Sequence, residues 1–205
     1  VYNLVFSGLQ TLISTLFNSI KFSLGQTYHE NREKYIRMND AFDGFYLAFV
    51  FSLISVCYFL ILPFISLYTK GVSDANYLDS KLPVLFCMIQ LLSASRAVSS
   101  NLINVAQHAK ETIWRSILEA VINIVVSVFL VKQVGIYGVL LGTITALLYR
   151  TNDMVIYANI KILKRLPFRT YYTLGINFIL FLGVMISNKI INIQIKSYAA
   201  FVVYG

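Results

Sequence analysis

Two arginines lie deep within long apolar segments, where a charged side chain needs a specific partner. Arg96 follows residue 82, at the start of its segment, by about fourteen residues, or about 21 Å along a helix. Arg150 precedes the polar loop at Lys161 by about eleven residues, or about 16 Å. A charge near the centre of a bilayer costs about 2.5–3.5 kcal/mol on insertion scales. Because a guanidinium group can bind two phosphate oxygens at once, both arginines are candidate ligands for an anion.

Each arginine also has an alternative to a bound anion. Asp153 lies three residues after Arg150 on one helical face, so the two side chains can form an ion pair. Arg96 has no acidic residue three or four positions away, and it therefore needs a partner on another helix, water or an anion. Asp153 is in addition the candidate residue for binding a coupling ion.

Polar residues form stripes along four of the apolar segments. Each stripe repeats at steps of three or four residues or multiples of them, which places its members on one helical face. The stripes are Asn3, Ser7, Gln10, Ser14, Asn18, Lys21 and Gly25; Gln90, Ser93, Arg96, Ser100, Asn104 and Gln107, with Asn101 beside them; Ser116, Glu119, Asn123 and Ser127; and Thr143, Arg150, Asp153 and Tyr157. Hydrogen bonds between membrane helices explain any single stripe equally well. Four stripes together predict several helices around a shared, water-filled cavity.

We expect this cavity to bind a substrate that carries both charge and hydroxyl groups. The candidate substrate-binding residues are Arg96, Arg150, Asn101, Asn104, Gln90 and Lys21. The arginines would bind phosphate, and the amides would contact sugar hydroxyls. The lysine lies nearer the end of its segment, so its side chain has the alternative of extending to the membrane surface.

The segments that carry these residues are predicted to be membrane helices. The chain has 205 residues, of which 58% are hydrophobic and 13% charged, and its mean hydropathy is +0.70. A soluble domain is about 45–50% apolar and about 25% charged. Apolar runs of about 18 residues can cross a bilayer as a helix, and these runs lack the alternation of barrel strands. We therefore expect an all-α, polytopic helix bundle.

Seven membrane spans are predicted, near residues 1–27, 41–68, 82–107, 114–131, 136–160, 171–187 and 197–205. The loops near 29–37, 108–115 and 161–169 carry more Lys and Arg than the loops between them. The positive-inside rule therefore places these three loops in the cytoplasm and the chain in the cell membrane as a multi-pass protein.

Three local patterns predict details of this bundle. The short connection KQVG makes the fourth and fifth spans antiparallel neighbours. Gly138 and Gly142 form a GxxxG motif, which favours close helix packing. Asn39, Asp40 and Asp43 are expected to cap the start of the second span.

The sequence contains no motif for catalysis, and we expect no enzyme, no cofactor and no metal site. A P-loop, a GxGxxG motif and a CxxC motif are all absent, and no nucleophile–base pair is apparent. The net charge of +8 is explained by basic loops near anionic membrane lipid. Nucleic acid is not an expected partner, because the basic residues are divided among separate loops.

The chain resembles a known family in residues 66–163, which include GIYGVLLGT at 135–143, and in SLGQTY at 23–28. These segments resemble the C-terminal half of Wzx-type polysaccharide flippases, of the multidrug, oligosaccharidyl-lipid and polysaccharide exporter superfamily. The resemblance implies one half of a pseudo-symmetric exporter fold, with the N-terminal half of the same protein as its partner. It implies an undecaprenyl-pyrophosphate-linked oligosaccharide as substrate, moved from the inner to the outer leaflet. Polysaccharide polymerase machinery is a further implied partner.

Three other functions remain open from the sequence. A multidrug or cation antiporter of the same superfamily would share the fold, although deep basic residues suit anions better than cationic drugs. A multi-span polysaccharide polymerase would need a large outer loop, and no predicted outer loop exceeds about thirteen residues. A structural membrane scaffold is the third, and buried charges count against it because they usually mark function.

Overall fold

Helices form all the regular structure of the described part of the chain. The computed structural model describes residues 2–70 and 78–190, and within these ranges there is no strand. The elements are α1 (Tyr2–Glu30), α2 (Arg32–Tyr68), α3 (Lys81–Ser95), α4 (Ala97–Val105), α5 (Ala109–Val134), α6 (Ile136–Tyr157), a π-helix (Ala158–Leu163) and α7 (Phe168–Ile190). The all-α class predicted from the sequence is confirmed.

Four helical stretches are long and apolar enough to cross a membrane. They are Arg32–Tyr68, Lys81–Val105, Ala109–Val134 and Phe168–Asn188, the second of which comprises α3 and α4. The chain is thus consistent with a membrane protein. The spans predicted near 1–27 and 136–160 correspond to α1 and α6, which are helical but are not among these four. The span predicted near 197–205 lies outside the described residues.

The second helix begins earlier than its predicted span. α2 starts at Arg32, and the Asn31 side chain caps it by accepting a hydrogen bond from the backbone N–H of Lys34 at 2.9 Å. The cap predicted at residues 39–43 is therefore wrong, because these residues lie inside the helix. An apolar run marks only the part of a helix that lies in an apolar environment, and the helix can continue beyond this run with polar residues. For the same reason α5 and α7 begin before residues 114 and 171.

The third predicted span is interrupted at Arg96. This residue lies between the last residue of α3, Ser95, and the first of α4, Ala97, with φ −94° and ψ −9°. The break occurs without proline or glycine, so neither composition nor hydropathy indicates it. It places the Arg96 side chain at the junction of two shorter helices.

The three basic loops meet at one end of the bundle, here called the basic end. Arg32 donates a hydrogen bond to the carbonyl of Ile162 at 2.6 Å. His108 Nδ1 lies 2.9 Å from the hydroxyl of Tyr157, at the end of α6. At the opposite end the hydroxyl of Tyr2 donates to the carbonyl of Asp79 at 3.1 Å. Successive helices therefore run between the same two ends, as the spans predict.

α5 and α6 pack closely as an antiparallel pair, which confirms the prediction from their short connection and the GxxxG motif. Gly135 makes the turn with φ 59° and ψ −135°, a region that strongly favours glycine. A Cβ atom at Gly142 would lie 2.1 Å from Ser127 Oγ and 2.8 Å from Ser127 N. A Cβ atom at Gly138 would lie 2.5 Å from the carbonyl carbon of Leu130. Only glycine permits this approach of the two backbones.

Candidate functional site

Five charged residues of α3–α4, α5 and α6 form one chain of ion pairs, here called the arginine–carboxylate network. They are Arg96, Arg115, Glu119, Arg150 and Asp153. Glu119 Oε1 lies 2.6 Å from Arg96 Nη1, and Glu119 Oε2 lies 3.6 Å from Arg150 Nε. Asp153 accepts from Arg150 Nη1 at 2.6 Å and from Arg115 Nη1 at 2.5 Å. Each carboxylate is therefore shared by two arginines.

Local helix geometry positions most of this network. Arg115 and Glu119 lie one turn apart on α5, and Arg150 and Asp153 lie one turn apart on α6. The glycine contacts hold the two helices close enough for these side chains to meet. Arg96 reaches Glu119 from the break between α3 and α4. Three arginines face two carboxylates, which leaves one positive charge in excess.

Arg150 is the buried centre of the network. Its side chain is 2% exposed, and its Nη2 also donates to Ser116 Oγ at 3.0 Å. The ion pair with Asp153 predicted from their spacing is confirmed. The expectation that Arg150 faces a water-filled cavity is wrong, because the carboxylates of α5 and α6 enclose its guanidinium group. The substrate-binding role predicted for it stays a prediction, as does the coupling-ion role of Asp153.

Arg96 is the more accessible arginine. Its side chain is 24% exposed, against 21% for its partner Glu119. Of the alternatives left open by the sequence, the structure shows the partner on another helix. Because Arg96 contacts one carboxylate and sits at a helix break, its guanidinium group retains surface that an anion can reach.

A groove between α1 and α4, here called the α1–α4 groove, collects three other predicted residues. It has a volume of about 530 Å³ and is lined by Asn18, Lys21, Phe22, Gly25, Gln26, His29, Asn101, Asn104 and Val105. Lys21, Asn101 and Asn104 were each predicted as substrate ligands from the stripes. Lys21 and Asn104 are exposed in the groove. Gln90 is half-buried on α3 and belongs to neither the groove nor the network.

Asn101 is the unusual residue of this groove. Its side chain is 2% exposed, yet neither Oδ1 nor Nδ2 has a hydrogen-bond partner among the described residues. Leaving a buried polar group unpaired costs about 1–3 kcal/mol. A buried amide without a partner needs a physical explanation, and a ligand or water that supplies the missing partners is one.

Sequence reasoning missed several residues of these two sites. Arg115 was treated as a loop charge, although its spacing of four from Glu119 places both on one face of α5. Gln26 directly follows Gly25, the last residue of the predicted stripe of α1, and His29 lies one turn beyond it; both line the groove. Their position on a continuous helix with Lys21 was the available signal.

A separate ion-pair cluster fixes the basic end. Asp40 is 9% exposed and accepts from Arg165 Nη2 at 2.5 Å and Nη1 at 2.7 Å. Arg169 Nη1 lies 3.3 Å from the same carboxylate. The bidentate hydrogen bonds from Arg165 to Asp40 raise the pKa of Arg165. Asp40 thus ties α2 to the connection between the π-helix and α7, rather than capping a helix.

Comparisons with known protein families, curated proteins and solved structures find no match for this chain.

Proposed function

We propose that the chain is part of a membrane transporter that moves an anionic, lipid-linked oligosaccharide between the two leaflets of the cell membrane. The undecaprenyl-pyrophosphate-linked repeat unit implied by the family resemblance is the proposed substrate, for extracellular polysaccharide synthesis. The observation that carries the proposal is the buried, unpaired amide of Asn101 in a groove that also presents Lys21.

The α1–α4 groove has the chemistry that such a substrate requires. A sugar hydroxyl both donates and accepts, so it can pair with the exposed amide of Asn104, and two hydroxyls can satisfy the Oδ1 and Nδ2 atoms of Asn101 once its side chain turns into the groove. Asn104 on α4 and Asn18 on α1 add further amides to the groove. Lys21 supplies a positive charge for phosphate. The exposed side chains of Asn18, Lys21 and Asn104 show that the groove opens to the protein surface, so a bulky head group can enter it from the side.

The arginine–carboxylate network supports an anionic substrate. Its arginines exceed its carboxylates by one positive charge, and at the exposed part of Arg96 a diphosphate oxygen can share the guanidinium group with Glu119. Arg150 is enclosed by Glu119 and Asp153, so its positive charge would attract the anion without touching it. A cation antiporter is disfavoured by the same arrangement, because each carboxylate is already held by two arginines.

The proposed topology has the basic end in the cytoplasm. α5 and α7 both begin at that end, so the chain has to return to it through α6 between them. α1 brings the chain to the same end before α2. In this topology α1 and α6 cross the membrane together with the four apolar stretches, and their polar residues face the protein. The exposed polar stripe of α1 then faces the other half of a pseudo-symmetric exporter.

Binding of a fluorescent undecaprenyl-diphosphate oligosaccharide to the full-length protein in nanodiscs tests this proposal. Asn101→Leu removes two hydrogen bonds to the ligand, each worth about 0.5–1.5 kcal/mol, so affinity should fall about fivefold or more. The protein should not lose stability, because an unpaired buried amide is replaced by an apolar group of similar size. Asn177→Leu is the matched control, since Asn177 is also buried but donates to Thr173 O at 2.8 Å on α7.

The two variants separate a binding role from a structural one. The proposal predicts weaker binding for Asn101→Leu with unchanged melting temperature, and unchanged binding for Asn177→Leu. If Asn101→Leu binds the oligosaccharide as tightly as the native protein, the groove does not hold the sugar.

A further inference from the structure

A second cavity lies at the end of the bundle opposite the basic loops, here called the α6–α7 cleft. Its volume is about 630 Å³, and its walls come from α2, α3, α6 and α7 and from the last residue of α5, Val134. α6 and α7 are joined near the basic end, where the Tyr171 hydroxyl donates to Asn152 Oδ1 at 2.9 Å. Toward the opposite end the cleft separates the two helices. It is distinct from the α1–α4 groove and shares no residue with it.

The lining of the cleft changes from polar to apolar along the helix axes. Lys81 and Tyr137 lie at the start of α3 and α6, at the mouth of the cleft. Leu85 and Leu141 lie four residues further along the same helices, about 6 Å deeper. Met185 of α7 extends the apolar wall. A ligand that matches this cleft has a polar head at the membrane surface and an apolar chain below it.

Among the described residues, the mouth carries the ammonium group of Lys81, with the carboxylate of Asp79 beside it. Lys81 is exposed, and its Nζ lies 5.7 Å from the centre of the Tyr137 ring. The Asp79 carboxylate accepts hydrogen bonds from the Tyr137 hydroxyl and from the backbone N–H of Lys81. The negative charge of Asp79 weakens the attraction of a phosphate to Lys81, although its carboxylate oxygens already accept hydrogen bonds from these two donors. Lys81 is therefore the group that can bind a phosphate, with a modest contribution.

We propose that the α6–α7 cleft binds one acyl chain of a membrane phospholipid whose phosphate lies at Lys81. The apolar walls provide most of the affinity, because the deeper lining offers leucine and methionine side chains and no charge. Leu141 is 37% exposed, so the cleft opens sideways toward the bilayer and a lipid can enter without crossing the protein. The site needs only that these helices lie in a membrane, and it is independent of the substrate proposed for the α1–α4 groove.

Photo-crosslinking in proteoliposomes tests the site. The probe is a phosphatidylglycerol with a diazirine on one acyl chain, and adducts of the full-length protein are mapped by mass spectrometry. Adducts should concentrate at Leu85, Leu141 and Met185, and excess unlabelled phospholipid should compete. The apolar face of α5 near Phe129 and Lys132 is the control for ordinary contact with bulk lipid, because it pairs a similar surface with a lysine.

Two variants test the binding of the acyl chain and the binding of the phosphate separately. Leu141→Trp fills the cleft and should reduce its adducts at least tenfold while leaving those on α5 unchanged. Lys81→Gln should weaken labelling about two- to five-fold, as expected for an exposed ion pair. It leaves the exposed position polar, so folding is preserved, and Lys132→Gln should change nothing in the cleft.

Three results would overturn the proposal. The first is labelling of the cleft that is no stronger than labelling of the α5 face. The second is cleft labelling that Leu141→Trp leaves unchanged. The third is labelling that is unchanged in Lys81→Gln, which would show that Lys81 does not bind the phosphate. Filling of the cleft by residues 71–77 or 191–205 of this chain would give the first result.

Discussion

Replacing Arg150 with methionine removes the centre of the arginine–carboxylate network while keeping an unbranched apolar side chain. Arg150 is 2% exposed and holds Asp153 at 2.6 Å, Ser116 at 3.0 Å and Glu119 at 3.6 Å. Removal of one partner from a buried ion pair costs about 3–5 kcal/mol, because the remaining charge stays buried. Each carboxylate here keeps a second arginine, so we expect about 3 kcal/mol for Arg150→Met.

The matching variant is Arg96→Met. Arg96 is 24% exposed and contacts a single carboxylate, which keeps Arg150 as a partner. Exposed and partly exposed pairs contribute about 0.2–1 kcal/mol. We therefore expect about 1 kcal/mol for Arg96→Met, and a clear difference between the two arginines.

Thermal unfolding of the detergent-purified protein measures this difference. In a domain of about 150–250 residues, 1 kcal/mol shifts the melting temperature by about 2–4 °C. Arg150→Met should therefore lower it by about 6–12 °C and Arg96→Met by about 2–4 °C, while the exposed Lys132→Met serves as a control with little effect. An Arg150→Met protein that melts no earlier than Arg96→Met would refute the reasoning from burial.

Two further predictions concern other parts of the bundle. Gly142→Ala should separate α5 from α6 and greatly reduce the yield of folded protein, because the new Cβ would lie 2.8 Å from the backbone nitrogen of Ser127, which cannot rotate away. Gly183→Ala, with nothing within 4 Å of its Cβ, should keep or raise the melting temperature, and similar loss in both would contradict the packing argument. Tyr137→Phe removes the hydrogen bond that lowers the pKa of Asp79. Native Asp79 contributes stability above its unfolded pKa, near 4, which is lost as pH falls through the folded pKa. The variant should therefore lose less stability than the native protein when the pH falls from 5 to 2, as measured by thermal melts. Identical pH profiles of the two proteins would show that Asp79 does not contribute to the pH dependence of stability.

Local spacing predicted the parts of the structure that depend on one helix or one turn. The pair of Arg150 with Asp153 follows from a separation of three residues, and the approach of α5 to α6 follows from Gly138 and Gly142. In both cases the interacting groups are fixed by helix periodicity alone. The all-α class likewise follows from apolar runs that do not alternate.

Contacts between residues far apart in sequence were not predictable in the same way. Arg96 pairs with Glu119, 23 residues away, and Arg165 pairs with Asp40, 125 residues away. From the sequence alone, any acidic residue of another helix was an equally good candidate partner for these arginines, because the choice depends on how the helices pack. The polar stripes were visible in the sequence, but their division between a groove and an ion-pair network depends on that packing. The first residues of α2, α5 and α7 were also predicted wrongly, because hydropathy indicates the apolar part of a helix and not its ends.

Transfer of a labelled undecaprenyl-diphosphate oligosaccharide between the leaflets of proteoliposomes tests the proposed transport activity directly. The full-length native protein should move the lipid, and Asn101→Leu, inserted to the same level and equally stable, should move it about fivefold more slowly. Asn177→Leu should transfer at the native rate. Absence of transfer by the native protein, or equal transfer by the native and Asn101→Leu proteins, would contradict the account.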